Sequence, residues 1–114
     1  MKTLDPNQLR LLKKRFEEFT FSHDFNLIYE HQVPNTGLIL LEGTIELKKK
    51  RRKFIEVVHP GLILGVQQLI KNIPFNFNCF VKGNSRLMLL PKSEILKIMN
   101  DKESELYRIL TPET

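Results

Sequence analysis

Six consecutive cations, Lys48, Lys49, Lys50, Arg51, Arg52 and Lys53, form the densest chemical feature of this chain. Such a run seeks anions: nucleic-acid phosphates, acidic lipid headgroups or an acidic protein patch. No aromatic residue alternates with the charges, so stacking of bases is poorly served. The whole chain carries a formal charge of +5, less than this run alone, so the positive balance belongs to one loop and not to a generally basic surface. Metal and acid–base chemistry find little support. His23, His31 and His59 are isolated, whereas a metal-holding β-roll needs a close His-x-His pair with a carboxylate a few residues on. Ser22 beside His23 is an accident of adjacency, because catalytic triads assemble by convergence in space. No glycine-rich phosphate loop is present, and the reading is that of a non-enzyme. Cys79, the single cysteine, sits in the apolar run from Phe75 to Val81 and reads as a buried structural thiol with no disulfide partner.

A second constellation is defined by its frame. Val58-His-Pro-Gly-Leu-Ile-Leu-Gly-Val-Gln-Gln-Leu69 is followed by Pro74-Phe-Asn-Phe77. The pair resembles the phosphate-binding cassette of cyclic nucleotide-binding domains, whose pattern runs roughly P-G-x-x-x-G-E-x-x-L and then P-R-[ST]-A. Gly61, Gly65, Leu69 and Pro74 match it. Val66 stands at the position of the family's ribose-binding glutamate, Phe75 at that of its phosphate-binding arginine, and Phe77 at that of a small residue. The resemblance extends to Leu38-Ile-Leu-Leu-Glu-Gly43-Thr-Ile-Glu-Leu47, similar to the family's strand, glycine corner and next strand. It also takes in Arg86-Leu-Met-Leu-Leu-Pro91-Lys-Ser-Glu-Ile95, similar to its last strand entering a helix. In Tyr29-Glu-His-Gln32, His31 stands where the family usually has a glycine, and a differently built turn is expected there.

What the resemblance implies is a frame without its ligand contacts: a vestigial pocket at Leu64, Gly65, Val66, Phe75, Asn76 and Phe77 that does not take cAMP or cGMP. An arginine fork normally gives a cyclic phosphate two charge-assisted hydrogen bonds, each worth about 1.5–3 kcal/mol. Losing it costs roughly 10²–10⁴ in affinity. Sliding the alignment does not restore it, because no arginine or lysine lies between Asn72 and Val81.

These positions need elements to hold them. A chain of 114 residues with 41% hydrophobic and 27% charged residues suits one soluble domain with a real core. Leu9, Leu12, Phe16 and Phe19 recur at helical spacing behind Asp5-Pro6, which predicts a helix over about residues 6–19. Short apolar runs then follow: Leu27–Tyr29, Leu38–Leu41, Thr44–Lys48, Phe54–Val58, Ile63–Leu64, Phe77–Val81 and Arg86–Leu90. Pro34-Asn35, Gly43, His59-Pro-Gly61 and Lys82-Gly-Asn84 punctuate them, a rhythm that argues for a mainly β double-stranded β-helix, or jelly roll. The basic run is expected as the mobile tip of a hairpin, with Glu46 and Glu56 partly pairing its lysines. Val66 to Asn72 is expected as a short helix. Ser93 is expected to cap a helix carrying Ile95, Ile98 and Met99, and Asn100-Asp101 a second one carrying Leu106, Ile109 and Leu110. The expected layout is one domain: residues 1–24 as N-terminal helix and connector, 25–91 as the β-roll, and 92–114 as a C-terminal helical segment. Phe75, Phe77 and Cys79 fall on one strand face and Phe80 on the other, with Phe54 near the cluster.

The functional expectation is a stand-alone, non-enzymatic interaction or scaffolding module, cytoplasmic and in bacterial signalling by family resemblance. The chain has no apolar leader and no span long enough for a bilayer. It holds no output domain and therefore acts through another chain, or through self-association at its wide terminal stripes. No cofactor is expected. Two other readings stand beside this one: a nucleotide sensor with a remodelled pocket, its cation supplied by Lys71, Lys82 or the basic loop, and an adaptor tethered to an acidic partner by that loop.

Overall fold

The computed structural model describes residues 2–111, with the backbone alone for Lys2 and for residues 52–57. In chain order the elements are β1 (Lys2–Thr3), α1 (Pro6–Lys13), β2 (Glu18–Phe21), β3 (Phe25–Ile28), β4 (Thr36–Glu42), β5 (Ile45–Lys49), β6 (Arg52–Val58), β7 (Leu62–Leu64), α2 (Val66–Lys71), β8 (Asn78–Val81), β9 (Ser85–Pro91), α3 (Lys92–Met99) and α4 (Glu105–Leu110). Two antiparallel sheets face each other, one in the order β1-β7-β4-β9-β2 and the other β3-β8-β5-β6. The fold is the expected mainly β roll with short flanking helices.

The central strands β4 and β9 of the five-stranded sheet are buried on both faces, which explains their continuous apolar runs. Along β4 the side chains alternate: Leu38 and Leu40 enter the space between the sheets, while Ile39 faces the helices. Along β9, Leu87 enters the roll and Met88 and Leu90 face the helices. The roll interior is closed from the other sheet by Ile45, Leu47, Cys79 and Val81. On the helical side Leu12, Phe16, Ile95, Ile98, Ile109 and Leu110 cover the sheet.

Several element boundaries differ from the sequence expectation, each for a local reason. The first helix stops at Lys13, not near residue 19. Residues 18–21 instead pair with β9, Phe19 opposite Leu87, and the ladder claims a Phe-Thr-Phe segment that favours strands. Phe19 consequently lies on an edge strand, 41% exposed. The helix start is as expected. Asp5 Oδ1 accepts from the Gln8 N–H at 2.8 Å and Gln8 Oε1 from the Asp5 N–H at 3.0 Å, a reciprocal capping box. Ser93 does not cap α3: Pro91 stands at that position, with extended backbone, and Ser93 is inside the helix. Asn100 closes α3 through its backbone N–H, and the cap of α4 is Ser104, whose Oγ accepts from the Leu106 N–H at 3.1 Å.

The terminal stripes that suggested self-association are, Phe19 apart, covered by the chain itself. Leu12, Phe16, Ile98, Ile109 and Leu110 are buried on the five-stranded sheet, and Leu9, Met99 and Leu106 pack against them. Among the described residues no helix is long and apolar enough to cross a membrane.

Candidate functional site

The cassette positions occupy different layers. Gly65 begins α2 in the left-handed region, φ 81°, where a side chain would press Ile28 Cδ1 at 2.9 Å and the Thr36 carbonyl at 3.2 Å. Val66 follows it, 3% exposed, in the apolar layer under the helices. Gly37 makes room for Val66, since a Cβ there would stand 2.3 Å from Val66 Cγ2. Leu64 and Phe75 belong to the other layer, inside the roll. Phe77 packs partly against that interior, edge-on to Phe75 at a ring separation of 6.2 Å, and Asn76 is exposed. Val66 and Phe75 therefore do not share one apolar cluster.

The first corner holds Phe75 in place. Its N–H donates to the Gln32 carbonyl at 2.9 Å, and its carbonyl accepts from the His31 N–H at 2.8 Å. His31, at the family's glycine position, adopts the conformation a glycine would, φ 69°. The turn thus keeps its left-handed residue without its glycine.

Next to this corner stands the tip of the β5–β6 hairpin. The six cations are not one loop. Lys48 and Lys49 end β5, Arg52 and Lys53 begin β6, and Lys49 pairs with Arg52 after a bulge, leaving Lys50 and Arg51 as the turn. The strands run further into the basic run than its lack of turn-forming residues suggested, and neighbouring groups anchor it. Lys48 Nζ lies 3.3 Å from Glu46 Oε1 and 5.0 Å above the Phe80 ring. Lys49 Nζ lies 5.0 Å above the Phe77 ring. The Lys50 N–H donates to Glu30 Oε1 at 2.8 Å. The side chains of Arg52, Lys53, Phe54 and Glu56, and with them the expected Glu56 pairing and Phe54 contact, lie outside the described residues.

The cations named for a remodelled pocket stand elsewhere. Lys82 is bound by Asp24 at 2.7 Å and approaches Glu46 at 3.7 Å. Asp24 Oδ1 also accepts from the Gly83 N–H at 2.7 Å. The Lys82 ammonium and this N–H hold the Asp24 carboxyl below the usual carboxylate range, and Asp24 in turn raises Lys82. Lys71 is exposed in the last turn of α2. Burial pushes the Cys79 thiol up to about 12, which keeps it protonated and inert. Among the described residues no group of His, Cys, Asp and Glu could hold a metal. Sequence reasoning did not find Glu30 and Asn78. Asn78 Oδ1 accepts from the Glu30 N–H at 3.0 Å and from Asn26 Nδ2 at 3.3 Å. Two isolated asparagines and a glutamate give no signal until β3 and β8 are known to be neighbours.

Residues 20–102 match the family model of the cyclic nucleotide-binding domain. The comparison with curated proteins found no match. Among solved structures, the chain is similar to one described under "A cyclic-GMP-dependent signalling pathway regulates bacterial phytopathogenesis", with TM-score 0.70 and 16% identity over 100% of both chains. It is similar to the cyclic nucleotide-binding-like protein from Brucella abortus, with TM-score 0.66, 25% identity, and 85% of this chain and 86% of that chain covered. It is similar to the Thermus thermophilus catabolite activator protein, with TM-score 0.69 and 14% identity, the match covering 94% of this chain and 51% of that one.

Proposed function

This chain belongs to the cyclic nucleotide-binding domain family, and from that premise we propose that it is a non-enzymatic, cytoplasmic member serving bacterial signalling as a protein-interaction module, without cAMP or cGMP in its roll. The observation that carries this reading is Phe75, 5% exposed and packed among the interior residues of the roll. An aromatic ring there supplies no counter-charge for a phosphate and fills space next to Leu64. Val66 offers no carboxylate to a ribose. The interaction role draws support from the roll's open edge. Both β2 and β3 are edge strands, and Phe19 and Phe25 are 41% and 51% exposed on them. An edge strand with unpaired backbone groups beside exposed aromatic rings suits the addition of a partner's strand.

Calorimetry with cAMP and cGMP tests the reading. No heat is expected at high micromolar nucleotide. A Kd below about 10 μM, near −7 kcal/mol, overturns it.

A further inference from the structure

An open cleft of about 760 Å³ separates the first corner from the turn of the β5–β6 hairpin. None of its lining residues belongs to the apolar interior of the roll, so it is distinct from the cassette. Its lining is polar and charged, which suits an ionic ligand and not an apolar one. One wall carries Lys49, Lys50 and Arg51. Among the described residues, the side chains of Lys50 and Arg51 meet no carboxylate, and both residues are exposed. The opposite wall carries Tyr29, 54% exposed, and His31, whose side chain is 80% exposed.

A carboxylate in this cleft, Glu30, does not cancel the cations. Its side chain is only 11% exposed. One oxygen accepts from the Lys50 N–H at 2.8 Å, and the other lies 3.2 Å from His31 Nε2. Glu30 therefore acts as a clasp that draws the basic turn onto the corner, where Lys50 and Arg51 stay exposed while Lys49 rests on Phe77. Beneath it Asn78 accepts from the Glu30 N–H and from Asn26, whose own Oδ1 is buried without a partner among the described residues. This half-buried pair fixes the backbone of the corner from below, because Asn78 is the acceptor for the Glu30 N–H.

We propose that this cleft binds a phosphate-bearing small molecule that carries an aromatic ring, with its phosphates against Lys49, Lys50 and Arg51 and its ring on Tyr29. Arginine's planar fork matches phosphate oxygens, and lysine adds point charge. A half-exposed tyrosine offers a flat face at little entropic cost. The inference does not depend on how the roll interior is read.

The test is an NMR titration of the full chain with inorganic pyrophosphate, ribose 5-phosphate, adenosine diphosphate and guanosine diphosphate at fixed ionic strength. Saturable amide shifts are expected at residues 29–32 and 49–51, with the nucleoside diphosphates tightest. Lys50→Gln with Arg51→Gln should weaken every phosphate ligand at least tenfold. Tyr29→Ala should weaken the nucleoside diphosphates and leave pyrophosphate unchanged. Lys92→Gln, on an exposed lysine at the start of α3, should change nothing. Unchanged spectra outside the cleft show that the variants are folded. No saturation by about 1 mM, the weak end of specific binding, overturns the proposal. So do equal shifts from sulfate, or binding only to DNA or anionic vesicles through the same residues. Shifts centred on Val66 and Phe75 overturn it too, and they alone also overturn the reading of the roll interior.

Discussion

Gly43 and Ser85 show how much one corner can rest on two small residues. Gly43 turns the chain from β4 into β5 at φ 100°, and a Cβ there would stand 2.6 Å from Ser85 Cα. Ser85 is fully buried. Its Oγ donates to the Thr44 carbonyl at 3.1 Å and accepts from the Thr44 N–H at 3.0 Å, so one hydroxyl meets both backbone groups of the residue after the glycine, the carbonyl sharing it with the Lys82 N–H. Gly43→Ala meets a left-handed penalty of about 1–2 kcal/mol and a clash with backbone that cannot rotate away. A loss above about 2 kcal/mol is expected. Ser85→Ala leaves the Thr44 N–H without its acceptor, while the Thr44 carbonyl keeps the Lys82 N–H at 3.0 Å, and should cost about 1–3 kcal/mol. Urea midpoints at constant m-value measure both, and a Gly43→Ala change within about 0.5 kcal/mol, the usual scatter of surface substitutions, contradicts the account. The glycine was legible in the sequence, because Leu-Glu-Gly-Thr between two apolar runs marks a corner. Ser85 was not, because a serine at a strand start carries no signal until the segment opposite it is known.

At the scale of elements, the start of α1 was legible and its end was not. Asp5-Pro6 with Gln8 writes a capping box into local sequence, whereas termination at Lys13 depends on β9 lying ready to pair with residues 18–21. Phe19 keeps helical spacing with Phe16 but belongs to a strand, so tertiary pairing overrode a period read from four residues. The basic hairpin repeats the lesson. Its charges and missing turn residues describe a loop, while Phe77, Phe80, Glu46 and Glu30 hold most of it as strand. The cap itself can be tested apart from tertiary pairing. Asp5→Ala removes the acceptor for the Gln8 N–H and should lower stability by about 1 kcal/mol, whereas Asp5→Ser, which retains an acceptor, should lose little. Equal midpoints for the three proteins in urea would mean that packing of Leu12 and Phe16, and not the cap, fixes the helix start.

For the molecule as a whole, the roll was legible because its punctuation and alternation are local. The cleft was not, because it joins a corner and a turn that the sheet order brings together. The same long-range logic governs two ionic clasps that tie the layers. Asp24, between β2 and β3, binds Lys82 and the Gly83 N–H between β8 and β9. Glu94 on α3 binds Arg15 beyond the end of α1, at 3.0 Å, and Lys97 at 3.3 Å. Lys82 and the Gly83 N–H depress Asp24, and Arg15 and Lys97 depress Glu94, both below the ordinary carboxylate range. A carboxyl with a depressed folded pKa contributes stability that is present above its unfolded value and is lost as pH falls through its folded value. The acid limb should therefore open below about pH 4, the ordinary carboxylate value. Lys82, raised by Asp24, works in the other direction: its contribution is complete at neutral pH and is lost only in strong alkali as pH passes its folded value. Asp24→Asn keeps an acceptor for the Gly83 N–H while removing the charge, and Glu94→Gln does the same at the second clasp. The double variant should melt below the parent at pH 7, and the two curves should converge toward pH 2, where the parent carboxyls are protonated as well. Because both sites are solvent-facing, 0.5 M salt should narrow the neutral-pH gap, as it does when screening at about 3–10 Å weakens exposed pairs. Melting temperatures from pH 2 to pH 7 decide the matter: a double variant with an acid limb as steep as the parent's would place the origin of acid sensitivity in other carboxylates.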